Sequence, residues 1–252
     1  MAVDFELNDG VAVITVNRPE ARNAIDGETA LAVNDAVCRV NEDEDIRVAV
    51  ITGAGGNFCA GMDLKAFLRK EVVRLPGTGF AGVTQAKLAK PFIAAVEGFA
   101  LAGGFEITLA CDIVIAGEGA RFGLTEVKRG LVANAGGLVR LPRQLPIKIA
   151  SELVLTGEIM PVSVLATHGL VNRIVPTGEA LTAAIAMARI IAGNGPMAVA
   201  VSRQVLHESL EWPEAEMFER QFALTAPVFA SEDAREGAAA FAEKRAPVWR
   251  GR

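Results

Sequence analysis

The chain of 252 residues contains no tyrosine, and only 6% of it is aromatic. Recognition of a ligand by aromatic stacking is therefore not expected. Close backbone approach and tight helix packing are, because glycine and alanine are abundant. Histidine is scarce. His168 precedes Gly169 at a predicted helix end, and His207 lies on a predicted helix beside Glu208, so both read as structural. The three cysteines, Cys38, Cys59 and Cys111, show neither CxxC spacing nor a disulfide framework. A reducing cytoplasm is the expected setting. Cys59 has no histidine near it in sequence and reads as an inert thiol. No His/Cys/carboxylate cluster has metal-ligand spacing, so no metal is expected.

Positive charge is not in excess either. The net charge is −5, which gives no support for nucleic-acid binding. An anionic ligand would need local basic residues. Long apolar runs are missing: residues 91–96 are too few to span a bilayer. The N-terminus carries Asp4 and no long apolar run, so it does not read as a signal peptide, and no membrane association is expected. The loop Gly53-Ala-Gly-Gly-Asn-Phe58 lacks the third glycine of a dinucleotide fingerprint, and no Gly-Lys-Ser/Thr follows. There is no fixed-period repeat and no low-complexity tract.

What remains is a chain with 51% apolar and 22% charged residues, which fits a soluble globular protein. Its length suits one large core, or a core with a small appended module. Residues 11–16 read as a strand paired with 3–8 across Asp9-Gly10. Residues 27–41 have helical apolar spacing at Ala30, Leu31, Val33, Val37 and Val40. Residues 48–52 and 92–96 are predicted buried strands, followed by strands at 113–116 and 170–175. Helices are expected from Asp63, over 102–110, over 136–156 with a break at Pro146, and over 162–168. Residues 71–82 read as an irregular, mobile surface segment. From about 179 the pattern is almost wholly helical, with Pro196 and Pro213 both expected in first helical turns. Strands alternating with helices imply stacked βαβ units.

Two carboxylates stand out. Glu106 follows Ala102-Gly103-Gly104-Phe105, and Glu126 closes Phe122-Gly123-Leu124-Thr125. Two carboxylates converging on one site can divide general-base and general-acid work. Glycines beside them let a substrate reach backbone N–H groups. Two glycines at a helix start, each costing about 1 kcal/mol against alanine, make sense if something must approach there. Plainer readings stay open: tight turns for the glycine loops, a buried ion-pair role for Glu106, a surface position for Glu126.

Several stretches are similar to the crotonase (enoyl-CoA hydratase/isomerase) family. They are Asn17-Arg-Pro-Glu-Ala-Arg-Asn-Ala24, Ile51-Thr-Gly-Ala-Gly-Gly-Asn-Phe-Cys-Ala-Gly-Met-Asp-Leu-Lys65 and Pro91-Phe-Ile-Ala-Ala-Val-Glu-Gly-Phe-Ala-Leu-Ala-Gly-Gly-Phe-Glu106. Cys111-Asp112, Phe122-Gly-Leu-Thr-Glu126, Ala135-Gly-Gly137 and Phe241-Ala-Glu-Lys-Arg-Ala-Pro247 follow in order. The resemblance implies an α/β fold: a spiral core of repeated ββα units over residues 1–195, with a helical C-terminal trimerisation module over 196–252. It implies a homotrimer, or a hexamer built as a dimer of trimers, and an acyl-CoA thioester substrate with no further cofactor.

In that family pattern the backbone N–H groups of Met62 and Gly103 form an oxyanion hole. Glu106 activates a water for attack at C3, and Glu126 supplies the proton to C2. Arg22, Ala24, Ala60 and Lys65, with Phe241 and Lys244 from a neighbouring subunit, match coenzyme-contacting positions. Solvated surface lysine is the plain alternative for the basic ones. Asn134 stands where a glycine often supplies a backbone N–H to the water. Phe105, Thr125 and Ala133 also depart from the common pattern. The resemblance implies an enoyl-CoA hydratase. Another reaction of the same fold, such as isomerisation or hydroxyacyl-CoA dehydration, and a non-catalytic acyl-CoA-binding protein are the alternatives.

Overall fold

The computed structural model describes all 252 residues. The N-terminal hairpin pairs β1 (Val3–Asn8) with β2 (Val11–Val16). Its two-residue turn, Asp9-Gly10, has positive φ at both positions, as a tight hairpin turn requires. Helix α1 (Gly27–Glu42) starts at Asp26, whose side chain accepts from the Thr29 N–H. It buries Ala30, Val33, Val37 and Val40, whereas Leu31 is turned to solvent, contrary to its place in the apolar spacing. Next come β3 (Val48–Gly53) and the short helix α2 (Leu64–Leu68), capped by Asp63.

Strands β4 (Arg74–Leu75) and β5 (Gly79–Phe80) form a small hairpin. Here the expected surface segment is corrected. Val73, Phe80 and Ala81 are buried, because the apolar residues among the glycines fold inward onto the main core. Then follow β6 (Phe92–Val96), β7 (Phe99–Leu101), α3 (Gly103–Ala110), β8 (Ile113–Gly117) and β9 (Arg121–Gly123).

Pro146 divides α4 (Gly137–Gln144) from α5 (Ile147–Thr156). Strand β10 (Met160–Pro161) leads into α6 (Val162–Thr167). Strand β11 is shorter than expected, Arg173–Val175: just ahead of it the Asn172 side chain, in place of a backbone carbonyl, accepts from Val114 N–H at 2.9 Å. Helices α7 (Ala180–Ala192), α8 (Pro196–Glu208), α9 (Met217–Ala230) and α10 (Glu232–Glu243) complete the chain. Pro196 opens α8 as expected, but Pro213 does not open α9. Its carbonyl instead accepts from Glu216 N–H in a turn that precedes that helix.

The main sheet runs β1-β2-β3-β6-β8-β11, parallel from β2 onward. Both its faces are covered, which is why β3 and β6 read as unbroken apolar runs. Phe92, Ala94 and Val96 face the large core, while Ile93 and Ala95 face α7. Helix α7 meets them with Ala180, Ala184 and Ala188, one small residue per turn, so it lies close to the sheet. A second sheet, β10-β9-β7, takes β7 and β9, the strands that follow β6 and β8, together with β10. Cys59 bridges to Ala100 at its edge. The result is a repeated strand–strand–helix spiral: β3, the Cys59 segment, α2; then β6, β7, α3; then β8 and β9.

Helices α8 and α9 contain no fully buried residue. Asp112 ties α8 to the sheet: it accepts from Phe92 N–H at 2.8 Å and Arg203 Nε at 2.9 Å, and pairs with His207 Nε2 at 2.6 Å. This is the structural place read for His207. No single helix is long and apolar enough to cross a membrane.

Asn23 holds the loop after β3 to the body. Fully buried at φ +57°, it donates to the carbonyls of Ala54 and Asn57 and accepts from Arg18 N–H. Losing these bonds leaves two carbonyls and an amide without their partner. Asn23→Ala is expected to lower stability by about 2–4 kcal/mol, at about 1 kcal/mol or more per bond. Urea unfolding at fixed protein concentration checks this.

Candidate active site

The loop after β3 and the start of α3 meet at two glycines. Gly61 has φ +93°. A Cβ there would stand 2.8 Å from Ala102 Cβ, 2.9 Å from Leu101 O and 3.2 Å from Gly103 N. No side chain fits between the loops. The loop is held in place from behind: Ile25 N–H donates to Gly61 O, and Asp63 N–H donates to Ile25 O, both at 2.8 Å. Those bonds use the Gly61 carbonyl and the Asp63 N–H, but not Met62's own N–H. Gly103 is the first residue of α3, so its N–H has no acceptor within the helix. Ala102 precedes it at φ +50°, ψ −125°, a conformation that an L-residue adopts only under constraint, at about 1–3 kcal/mol. Two unspent amides thus stand beside one opening.

Glu106 lies in the first turn of α3 and is 3% exposed. Its Oε1 accepts from Ala135 N–H at 2.7 Å and Gly137 N–H at 2.8 Å. A Cβ at Gly137 would come within 3.1 Å of that oxygen, so glycine is needed for the amide to approach. Glu126 begins the 3₁₀ turn Glu126–Arg129, and its Oε2 is buried with no hydrogen-bond partner. Glu106, Glu126, Met62 and Gly103 all line one cavity of about 610 Å³.

Burial pushes the Glu106 carboxyl above its ordinary range, against the two amides and the charges of Arg140 and Arg74. Burial pushes Glu126 further, to about 7, and the negative charge of Glu106 adds to the rise. Its own backbone N–H and Arg129 oppose it. A carboxyl titrating near neutrality beside a firmly held one suits proton transfer in either direction. Cys59 is inert, as expected: burial raises its thiol to about 12.

The remaining candidates divide. Arg22, Ala60 and Asn134 line the cavity. Arg22 lies over the Phe99 ring, 5.5 Å from its centre. Ala24 is buried behind the cavity, its carbonyl accepting from Arg18. Lys65 is exposed on α2 and does not reach the wall. Phe241, 88% exposed, and Lys244, in a left-handed conformation at the end of α10, do not line it within one chain. The role expected of Asn134 is corrected. Its backbone N–H donates to Val132 O at 2.9 Å and is not free for a water. The amides in that loop that face the chemistry are those of Ala135 and Gly137, and they hold Glu106.

Of the apolar residues Phe67, Leu68, Leu75 and Phe80, only Phe67 and Phe80 line the cavity. The Phe80 ring lies under Gly103, where a Cβ would stand 2.6 Å from Cζ. Arg74 and Arg129 are cavity residues that the sequence reading missed. Arg129 was findable, being three residues after Glu126 on a helical turn. Arg74 reaches the cavity only through the β4–β5 hairpin, which carries no strong pattern. Arg18 was missed as well. It pairs with Asp26 at 3.0 Å and Asp63 at 3.2 Å, joining the starts of α1 and α2.

The raised Glu126 carboxyl has a consequence for stability. The folded chain binds its proton up to about pH 7, the unfolded chain only to the ordinary 4.5. Stability from this group therefore falls as pH rises between those values. Glu126→Gln is expected to gain stability relative to the parent across that window and to hold the gain above pH 7. Thermal midpoints measured from pH 4 to 8 check the direction.

The enoyl-CoA hydratase/isomerase family model matches residues 6–252. Enoyl-CoA hydratase EchA19 of Mycobacterium tuberculosis is 44% identical over 251 residues, covering 95% of this chain and 93% of its own. A carnitinyl-CoA dehydratase of Salmonella typhi is 42% identical, with 97% of each chain covered. The crystal structure of an enoyl-CoA hydratase from Mycobacterium tuberculosis superposes with a TM-score of 0.98 at 48% identity, covering 100% of this chain and 99% of that one. The chain belongs to the enoyl-CoA hydratase/isomerase family, the crotonases, and has their fold.

Proposed function

We propose that this chain is an enoyl-CoA hydratase, a hydro-lyase that adds water across the 2,3 double bond of a trans-2-enoyl-CoA to give a 3-hydroxyacyl-CoA. The observation that carries the reading is the convergence of two unspent amides, the buried Glu106 and the half-buried Glu126 on one cavity. The Met62 and Gly103 N–H groups hold the thioester oxygen and stabilise the negative charge that reaches it as the enolate forms. A fixed donor of this kind is worth about 3–4 kcal/mol of barrier. Glu106, fixed through Oε1, accepts a hydrogen bond from the water with its free oxygen. The water oxygen bonds to C3 as the π electrons move toward the thioester. Glu126 delivers a proton to C2 and takes up the one that the water releases. Each carboxylate ends as it began.

Arg22, Lys65 and the backbone near Ala24 and Ala60 bind the coenzyme portion, with Phe241 and Lys244 supplied by a neighbouring copy. The exposure of Phe218, Phe222, Phe229 and Phe241 on α9 and α10 supports a trimer or a dimer of trimers formed through residues 196–252. The same machinery run backward dehydrates a 3-hydroxyacyl-CoA, so relatives named for dehydration fit the same chemistry.

The test is loss of the enoyl-thioester absorbance of crotonyl-CoA. Glu106→Gln and Glu126→Gln are each expected to lower kcat/KM by about 10²–10⁴-fold. Retained turnover in Glu126→Gln, with loss in Glu106→Gln, would replace hydration with a one-carboxylate reaction such as isomerisation.

A further inference from the structure

We infer that the cavity selects acyl groups ending in a carboxylate, recognised by Arg74 and Arg129; this rests on the hydratase reading above. Both guanidinium-bearing residues line the cavity. Neither takes part in an ion pair with any carboxylate of the chain. The only carboxylates on the wall are Glu106 and Glu126. Glu106 is already held by two amides, and both are committed to the chemistry.

The backbone places the two arginines near the reacting end of the cavity. Arg74 on β4 is registered opposite Phe80 on β5, so their side chains are neighbours on one face. The Phe80 ring underlies Gly103, one of the two free amides. Arg74 is also close enough to Glu106 to lower its pKa. Arg129 is three residues beyond Glu126 on a 3₁₀ turn, so the two share a side of it. Its guanidinium is steadied by the Thr125 carbonyl and hydroxyl, both at 3.3 Å.

The rest of the wall is largely apolar, including Phe67, Val73, Leu101, Leu131 and Val132. An alkyl chain packed there would strip water from two guanidinium groups and return nothing to them. A trimethylammonium group, as in a carnitinyl thioester, would meet two like charges. Phe67 and Phe80 are the only aromatic residues on the wall, too few for the ring cage that such a cation prefers. A carboxylate supplies the missing acceptor, and guanidinium binds it through paired hydrogen bonds.

Calorimetric titration with saturated thioesters reads this preference whether or not the chain hydrates anything. Glutaryl-CoA and adipyl-CoA are compared with pentanoyl-CoA and hexanoyl-CoA. At least one carboxylated ester is expected to bind about tenfold more tightly than the neutral ester of equal length, the effect of one charge-assisted hydrogen bond. The preference is expected to vanish in Arg74→Gln/Arg129→Gln and to reverse in Arg74→Glu. Equal or tighter binding of the neutral esters by the parent chain overturns the inference. So does an equal weakening of all four esters in the variants, which would assign the arginines to the coenzyme phosphates. Failure to hydrate any enoyl thioester, with the carboxylate preference intact, would sink the hydratase reading alone.

Discussion

Two backbones come into contact at Gly61 and Gly103, and the site is arranged around that contact. The pairing of Cys59 with β7 forces it: Cys59 N–H donates to Phe99 O, and Leu101 N–H donates to Cys59 O, both at 2.9 Å. Side chains are excluded on both sides. A Cβ on Gly104 would meet the Cys59 carbonyl, and one on Gly103 would meet the Phe80 ring. The amide of Met62 is free because its neighbours' bonds run to Ile25, and that of Gly103 because it starts a helix. Neither is available to an incoming oxygen unless the two chain segments stay this close.

Such closeness needs a stiff frame, since Ala102 holds an unfavourable conformation that would relax in a looser one. The frame is the spiral itself. Each turn of it sends one strand into the main sheet and the next segment into the small sheet. Phe105 and Phe122 pack edge to face in the core between them, ring centres 5.3 Å apart. Arg18 and Asn23 add polar ties at the rim. The first joins two helix starts through Asp26 and Asp63, and the second pins the loop through the carbonyls of Ala54 and Asn57. These residues touch no reacting atom, yet they set the position of Met62.

The fold was legible in the sequence because the central strands β3 and β6 are apolar on both faces and Asp63 marks the start of α2. The reading failed where burial contradicts local composition. Residues 71–82 carry Pro76, Gly77 and Gly79 and look like surface, yet Val73 and Phe80 are core. The carboxylates and the glycine pairs were visible because the chemistry demands unusual residues there. What Asn134 does was not, because it depends on whether one amide points at Val132 or at the cavity, and residue type does not decide that. Arg74 was hidden for a related reason: only the pairing of two two-residue strands brings it to the wall.

The two carboxylates differ in what surrounds them, and the difference supports the parts proposed for them. Glu106 gives one oxygen to two amides, so it is fixed in place and its charge has local support. That is the arrangement for a group that must orient a water without moving. Glu126 has a buried oxygen with no partner, and it feels the charge of Glu106. Leaving that oxygen unbonded disfavours the charged form, because a buried acceptor without a donor loses its hydration for nothing. The proton is therefore held loosely enough to be given up and strongly enough to be regained near neutral pH. Exchanging the two roles would require moving the Ala135 and Gly137 amides from one side chain to the other. The glycine at 137, which no Cβ could replace without crowding Glu106 Oε1, ties those amides to Glu106.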